Sequence, residues 1–385
     1  MSLTLKYKIL LFLFFITMIT SLWPNNIYLL FLFSVASWIL LPYNKWWDGI
    51  SISLFFFSFF YCLVHFINKG TGSGFIFLST LTAPVSFYRF GRWIMTWLVD
   101  DRKRSFFLFY FALSYFFPVF LLTLQDIFLV GLVNDTRIML SDIGKEDTTL
   151  AATLYGLMAS VGVGFISILF TSSLKKIEKL LFSIITIISM LTVVHLVNRT
   201  GIVLFIACLI FSVFYSTRLR PIKMLAIFLF LLFVVFIVFQ FGIISQDILD
   251  AYLQREDSTT ANAAEFGGRS DLWNIAFMNV FISPFGWVRE RYAHNLWLDL
   301  AAIGGWFALF PFLAASFAVI KNFFKVLIME ESSFRILLLS MFLSMFLNSM
   351  VEPVIEGSLL FFVLFMMIWG MLKSVSREDV VIYQN

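Results

Sequence analysis

The feature that most constrains this chain is its series of long, almost uninterrupted apolar runs. Hydrophobic residues make up 61% of the 385 positions and charged residues 13%, whereas a typical soluble domain is about half apolar and a quarter charged. A helix of about 20 residues crosses the hydrocarbon core of a bilayer, and the apolar runs approach or reach that length. The sequence therefore predicts an all-α fold, a polytopic transmembrane helical bundle of about twelve spans. The predicted spans are roughly residues 7–23, 26–42, 50–67, 73–90, 105–124, 150–171, 179–197, 201–216, 223–243, 295–320, 334–351 and 357–373.

The distribution of basic residues predicts how these spans are oriented. Lysine and arginine accumulate in the cytoplasmic loops of membrane proteins. An N-terminus placed inside assigns most of the 27 lysines and arginines to cytoplasmic segments, so both termini are predicted to be cytoplasmic. No segment has the composition of a soluble domain, and residues 1–385 are predicted to form a single membrane domain. The net charge of +4 follows from this asymmetry, so we expect no nucleic-acid partner.

Two segments on the far side of the membrane are longer than ordinary turns. They cover residues 125–149 and about 244–294, and loops beyond about 12–15 residues are usually functional or disordered. The second segment is too aromatic for disorder. Within it, the pattern from Asp271 to Ile282 predicts an amphipathic helix, which Ser283-Pro284 would end. Such a helix fits the outer membrane interface, or it forms a structural cap on the bundle.

Arginines on the far side run against the topological bias, in particular Arg199, Arg269, Arg289 and Arg291. Each one alone is explained as an anchor to lipid headgroups, because a long basic side chain near the interface can extend its charge into water. Together, at helix ends that meet the same boundary, they would present several planar guanidinium forks. Such forks match phosphate oxygens bidentately. The sequence therefore predicts an anionic ligand with more than one phosphate oxygen near the outer leaflet.

The histidines and two far-side glutamates differ in what they indicate. His294 opens a predicted span, and histidine can exchange protons near neutrality. It is therefore a candidate general base, or else a hydrogen-bonded residue at a helix start. His65 and His195 lie within apolar helices with no polar partner nearby in sequence, which favours packing. Glu352 and Glu356 occupy a far-side turn, where they would orient an arginine, accept a proton or serve as ordinary turn residues.

Several motifs do not occur in the sequence. It contains no Gly-rich phosphate loop ending in Lys-Ser/Thr, which disfavours nucleotide hydrolysis. It contains no His/Cys cluster with metal-ligand spacing. It also contains no Asp-x-Asp pair, which disfavours metal-dependent sugar transfer. We therefore expect no metal ion and no other cofactor.

Short motifs in the second half of the chain occur in an order and spacing that is fairly specific. The chain resembles the superfamily of O-antigen polymerases (Wzy) and O-antigen ligases (WaaL), which are bacterial envelope glycosyltransferases. The resemblance covers about residues 195–372, and the first half matches only as a hydrophobic multi-span chain. The motifs are Asn198-Arg199-Thr200-Gly201, Gly268-Arg269 with Trp273, Pro284-Phe285-Gly286 and His294-Asn295.

This resemblance implies an inverting, metal-independent transferase of the membrane GT-C type. It would act on glycans carried by undecaprenyl diphosphate at the periplasmic face of the inner membrane. The resemblance assigns the lipid diphosphate to Arg199 and Arg269, and the acceptor sugar hydroxyl to His294. Further substrate contacts are expected from Arg289, Arg291, Asn295, Trp273, Tyr292 and Glu352. The aromatic residues in this group also fit a role as membrane-interface anchors.

The resemblance leaves the exact activity open. Polymerases are often described by two long periplasmic loops that each carry an arginine and a distant glycine. The first loop here offers only Arg137 and the nearby Gly144. Polymerase is preferred because the chain is compact, with a ligase as the alternative and a Wzz-type chain-length co-polymerase as a possible partner of a polymerase. A lipid-linked oligosaccharide flippase is the rival from another class, since such transporters also commonly have about twelve spans.

Overall fold

A computed structural model describes residues 5–23, 26–41, 47–69, 74–134, 139, 151–171, 174–217, 269–287 and 292–382. All regular secondary structure within these ranges is helical. Seven of the described helices are long and apolar enough to cross a membrane. The prediction of a multi-pass, all-α membrane protein is therefore confirmed.

The helices follow one another along the chain with short connections. The first five are α1 (Leu5–Ile19), α2 (Asn26–Leu40), α3 (Gly49–Lys69), α4 (Gly74–Trp97) and α5 (Asp101–Val130). They are followed by α6 (Ala151–Val163), a 3-10 segment (Gly164–Phe170), α7 (Lys176–His195) and α8 (Arg199–Thr217). The remaining helices are α9 (Arg269–Ile282), α10 (Leu296–Ile328), α11 (Ser333–Ser349), α12 (Val354–Gly357) and α13 (Leu359–Ile382).

The number of spans is less certain from length alone than the helical class. Helices α2 and α11 are apolar but shorter than a full membrane crossing, and α1 has 15 residues. The predicted span 223–243 lies outside the described residues. The total of about twelve spans therefore stays a prediction.

Helix α4 extends beyond the predicted span 73–90, because its two arginines lie inside the protein rather than in a loop. Arg89 and Arg92 are both buried. Arg92 Nη1 lies 3.1 Å from a carboxylate oxygen of Asp48, to which Tyr88 also donates a hydrogen bond. The Arg89 guanidinium lies 5.1 Å from the ring centroid of Trp38. These contacts compensate for the desolvation of the two cations and allow the helix to continue.

Contacts divide the chain into two compact units, which are described separately. The first unit comprises Met1–Pro118, Asp271–Glu330 and Met345–Asn385, and the second comprises Val119–Ser270 and Glu331–Ser344. The boundaries between the units fall within α5, α9 and α11. The prediction of a single membrane domain is not tested by this division and stays a prediction.

The core of the first unit is made by α4, which packs against α2, α3 and α13, and by α10, which packs against α3 and α13. Aromatic rings fill the space between α1, α2, α4 and α5, with Phe14 in contact with Phe33, Phe90 and Phe107. Helices α4 and α13 approach closely, because a Cβ on Gly91 would overlap the carbonyl of Met367. Small residues allow this type of approach between membrane helices.

The second unit is built from α6, α7, α8 and the 3-10 segment that extends α6. The first turns of α11 also belong to this unit, where Ser344 donates a 2.7 Å hydrogen bond to the carbonyl of Ser160. Cys208 in α8 contacts the carbonyl of Ser340. Side-chain hydroxyl and thiol groups thus connect the helices of this unit, as is common in membrane bundles.

Helix α10 is interrupted at Gly305, which has a backbone φ of 61° and ψ of −161°. The loop after α9 fits against this break. Trp306 N–H donates to the carbonyl of Pro284 at 2.8 Å, and Trp287 N–H donates to the carbonyl of Ala302 at 2.8 Å. The break therefore has partners for backbone groups that a continuous helix would satisfy internally, as a membrane environment requires.

We expect Gly305→Ala to destabilise the protein. An alanine is strained at this backbone conformation, and its Cβ would overlap Pro284 and Phe285. The loss in free energy of unfolding should be at least about 2 kcal/mol. The midpoint of thermal unfolding in detergent would measure it. Gly49→Ala is the matched control, because a Cβ there meets nothing within 4 Å; an equal effect of both substitutions would contradict the role of Gly305.

Candidate functional site

The turn that precedes α10 places His294 in an unusual backbone conformation. His294 has a φ of 54°, a left-handed value that costs energy for a residue other than glycine. The carboxylate of Asp299 fixes both sides of this turn, because it accepts hydrogen bonds from the N–H of Ala293 at 2.9 Å and of Asn295 at 3.2 Å. Asp299 is buried, so these bonds form away from competing water.

Asn295 and Trp273 hold the same turn from two other directions. The side-chain oxygen of Asn295 caps α10 by accepting from the N–H groups of Trp297 and Leu298. Its side-chain nitrogen donates to the carbonyl of Met350 at 3.2 Å. Trp273 in α9 donates its indole N–H to the carbonyl of Ala293 at 2.7 Å. The predicted site residues Trp273, His294 and Asn295 are thus brought together in the first unit.

Glu352 lies on the inner side of the His294 imidazole. Its carboxylate oxygen is 3.7 Å from His294 Nδ1, which is an ion-pair distance rather than a hydrogen bond. The glutamate side chain is 8% exposed and the imidazole 28% exposed. Nδ1 itself is buried, so the accessible part of the ring is its other edge. An imidazole backed by a carboxylate in this way has the arrangement of a general base with an orienting acid.

Tyr292 is half-buried and lies two residues before His294. The remaining predicted contacts on this side are not all described. Arg289 and Arg291 lie outside the described residues, as does the side chain of Glu356. Their proposed contacts stay predictions.

Helix α9 confirms the helix predicted from Asp271 to Ile282 and begins two residues earlier, at Arg269. Large apolar side chains on this helix are exposed, among them Ile275, Met278 and Ile282. Such exposure suits contact with lipid, although the interfacial position of the helix stays a prediction. Arg269 is half-buried and occupies the first helical position.

In the second unit, Arg199 is presented by a tight turn between α7 and α8. Val197 has a left-handed φ of 49°, and the Asn198 N–H donates to the carbonyl of Val193 at 2.9 Å. The Asn198 side chain accepts from the N–H of Gly201 at 3.0 Å and so caps α8. Arg199 is then the first residue of α8 and half-buried. Its convergence with Arg269 and His294 stays a prediction.

Next to this turn lies a buried polar cluster, which we call the His195 cluster: Asp126, Asn134 and His195. His195 Nε2 lies 2.8 Å from Asp126 Oδ2, and Asn134 donates to the same oxygen at 2.7 Å. His195 Nδ1 lies 3.0 Å from the carbonyl of Leu132. A carbonyl only accepts, so Nδ1 carries a proton, and a second proton lies between Nε2 and the carboxylate.

The interpretation of His195 as a packing residue missed this cluster. No polar partner is close to it in sequence, because Asp126 comes from α5 and Asn134 from the segment after α5. Both contacts are non-local, and only the packing of α5 against α7 brings them together. The cluster holds the base of the first long far-side segment at the end of α7, three residues before Asn198. The acid in an otherwise apolar stretch of α5 was the available sequence signal.

Asp299 was also missed, since it lies within an apolar span. An acid in the first turn of such a helix is favourable for the helix dipole, and it was a visible sign of a capping role. We predict that Asp299→Ala lowers the free energy of unfolding by about 2–4 kcal/mol, because two hydrogen bonds to a charged acceptor are lost. Asp299→Asn keeps one acceptor and should cost less. Thermal unfolding of the purified variants provides the measurement.

A suitable control is Asp271→Ala, which removes an exposed acid from the first turn of α9. It should change the unfolding midpoint little, since exposed charges contribute little. If Asp299→Ala were as stable as this control, the turn would not depend on the Asp299 carboxylate.

For the His195 cluster, we predict strong coupling between His195 and Asp126. His195→Leu alone leaves the buried carboxylate without its imidazole partner and should cost about 3–5 kcal/mol. Asp126→Leu should cost a similar amount for the converse reason. The double variant should be more stable than the sum of the two losses implies, as measured by a double-mutant cycle. Additive losses would mean that the two side chains do not stabilise one another.

Comparison with known proteins adds no assignment to this geometry. No protein-family model matches the chain, and no curated protein matches it. The functional reading therefore depends on the chemistry of the residues themselves.

Proposed function

We propose that the chain is a membrane glycosyltransferase, an O-antigen polymerase that joins oligosaccharide repeat units carried on undecaprenyl diphosphate. The observation that carries the proposal is the His294 turn. A half-exposed imidazole is backed by the buried Glu352 carboxylate, and its backbone is held by Asp299, Asn295 and Trp273. A strained, well-supported residue of this kind is typical of a functional site.

In the proposed reaction, His294 acts on the acceptor sugar. A hydroxyl oxygen of the acceptor attacks the anomeric carbon of the donor sugar, and its proton passes to the accessible nitrogen of His294. The bond between that carbon and the phosphate oxygen breaks, with inversion at the carbon, and undecaprenyl diphosphate leaves with the bonding electrons. Glu352 stabilises the imidazolium that forms. General-base assistance of this type contributes typically about 10²–10⁴ in rate.

Arg199 and Arg269 are assigned to the diphosphate of the donor. Negative charge increases on the leaving oxygen as the glycosidic bond breaks, and fixed guanidinium groups stabilise it. Donors aimed at developing charge are usually the largest catalytic contribution. Each arginine is the first residue of a helix, α8 or α9, where backbone N–H groups also favour an anion. The reaction is placed at the periplasmic face of the bacterial inner membrane, in line with the predicted orientation.

A lipid-linked oligosaccharide transporter is the second candidate, and two observations favour it. Broken helices and ionisable pairs inside a bundle are features of transporters, and both occur here, at Gly305 and in the His195 cluster. Each is closed by partners within its own unit: the Pro284–Trp287 loop at the break and Asn134 at the ion pair. Closed features of this kind fit structural support better than a substrate pathway, so the transferase is preferred.

The test uses purified protein in detergent, supplied with repeat units linked to undecaprenyl diphosphate. A polymerase forms longer glycans in this mixture, whereas a transporter has no membrane to act across and forms none. Arg199→Ala and Arg269→Ala should each slow chain growth by about 10²–10³. His294→Asn should slow it by about 10²–10⁴, because asparagine tolerates the left-handed backbone but lacks the imidazole.

Arg377→Ala is the matched control, since it removes an exposed arginine at the far end of α13. Wild-type chain growth in all three site variants would overturn the site. In a strain without the gene, a polymerase defect leaves lipopolysaccharide with a single repeat unit. A ligase defect instead leaves no glycan attached and lets undecaprenyl-linked chains accumulate.

A further inference from the structure

The first unit contains an open groove of about 520 Å³ between α1 and the start of α5. Its walls include Leu11 and Phe15 from α1 and Phe107 from α5, and the end of α4 closes one side with Trp97. The volume is in the range of sites that hold a small-molecule ligand. None of these residues belongs to the His294 turn or to the helix starts at Arg199 and Arg269.

One end of the groove is basic. Arg102 and Lys103 line it as consecutive exposed residues in the first turn of α5. Asp100 also lines this end and accepts from the Arg102 N–H at 2.7 Å. The nearby Asp101 pairs with the buried Arg104 at 3.3 Å. The two cations therefore face a single acid at the rim, which leaves this end with a net positive charge.

We propose that this groove binds an anionic phospholipid. The phosphate of the lipid would meet Arg102 and Lys103, and an acyl chain would lie along Leu11, Phe15 and Phe107. An apolar trough with a cationic end matches both parts of such a lipid, and basic pockets between membrane helices bind anionic headgroups. A nucleotide or a free sugar phosphate would leave the aromatic walls in contact with water, so neither matches the apolar part.

The predicted orientation places the turn between α4 and α5 on the cytoplasmic side, where anionic lipids give the leaflet its negative surface potential. The proposed transferase site lies on the opposite face. The lipid site is therefore independent of the proposed function, and either can fail without the other. Undecaprenyl diphosphate is also an anionic amphiphile, and the test separates it from a phospholipid.

The experiment measures lipids retained by the purified full-length protein with native mass spectrometry. The protein is exchanged into micelles that contain equal amounts of phosphatidylglycerol and phosphatidylethanolamine. We expect one phosphatidylglycerol to be retained in preference. The double variant Arg102→Glu and Lys103→Glu should lower its retention at least about tenfold, because each basic residue near an anionic headgroup contributes about 1 kcal/mol.

The control is the double variant Lys175→Glu and Lys176→Glu. It reverses two consecutive exposed lysines at the start of α7, which is predicted to lie on the same side. Retention should be unchanged in this control. An equal loss in both double variants would reduce the effect to overall charge and overturn the site.

A second variant keeps the test independent of charge. Leu11→Trp narrows the apolar part of the groove and leaves both basic residues in place, so retention should fall several-fold. Size-exclusion profiles establish that each variant is folded. Retention that is unaffected by Leu11→Trp and by the Arg102/Lys103 reversal would overturn the proposal. So would preferential retention of added undecaprenyl diphosphate over phosphatidylglycerol.

Discussion

The geometry of the candidate base depends on a pair of backbone hydrogen bonds at the break in α10. Trp306 N–H reaches the carbonyl of Pro284, and Trp287 N–H reaches the carbonyl of Ala302. In a membrane, interrupted helix hydrogen bonds need other partners, since lipid supplies none. The loop after α9 supplies them here, and it thereby fixes the first segment of α10. His294 and its supporting residues precede that segment directly, so the site is positioned by the same contacts that close the break.

Charged groups inside the protein follow the same rule as the backbone. Arg92 is paired with Asp48, and His195 is paired with Asp126. A buried charge without compensation is expensive, so each pair also constrains the helices that carry it. The consequence differs between the units. In the first, paired arginines allow α4 to continue past its predicted end. In the second, the His195 cluster holds the segment after α5 against the end of α7, next to the turn that presents Arg199.

The sequence predicted the general arrangement of the first-unit site better than its support. Short motifs pointed to Trp273, His294 and Asn295, and these residues do share one turn. Glu352 was proposed as a residue that could accept a proton, and it faces the imidazole. Asp299 and the His195 cluster were not found, because their partners are distant in sequence or are backbone groups. Patterns of side-chain type do not reveal a bond to a main-chain amide.

The sequence by itself determined that this chain is a helical membrane protein, because runs of apolar residues can satisfy their backbone groups in lipid only as helices. It also determined where α9 forms and ends, through its periodic pattern and the Ser283-Pro284 stop. The tertiary structure decided how far α4 extends, where α10 breaks and which acid stands behind His294. These features depend on contacts between residues far apart in the chain, and their energies do not exist until the helices pack.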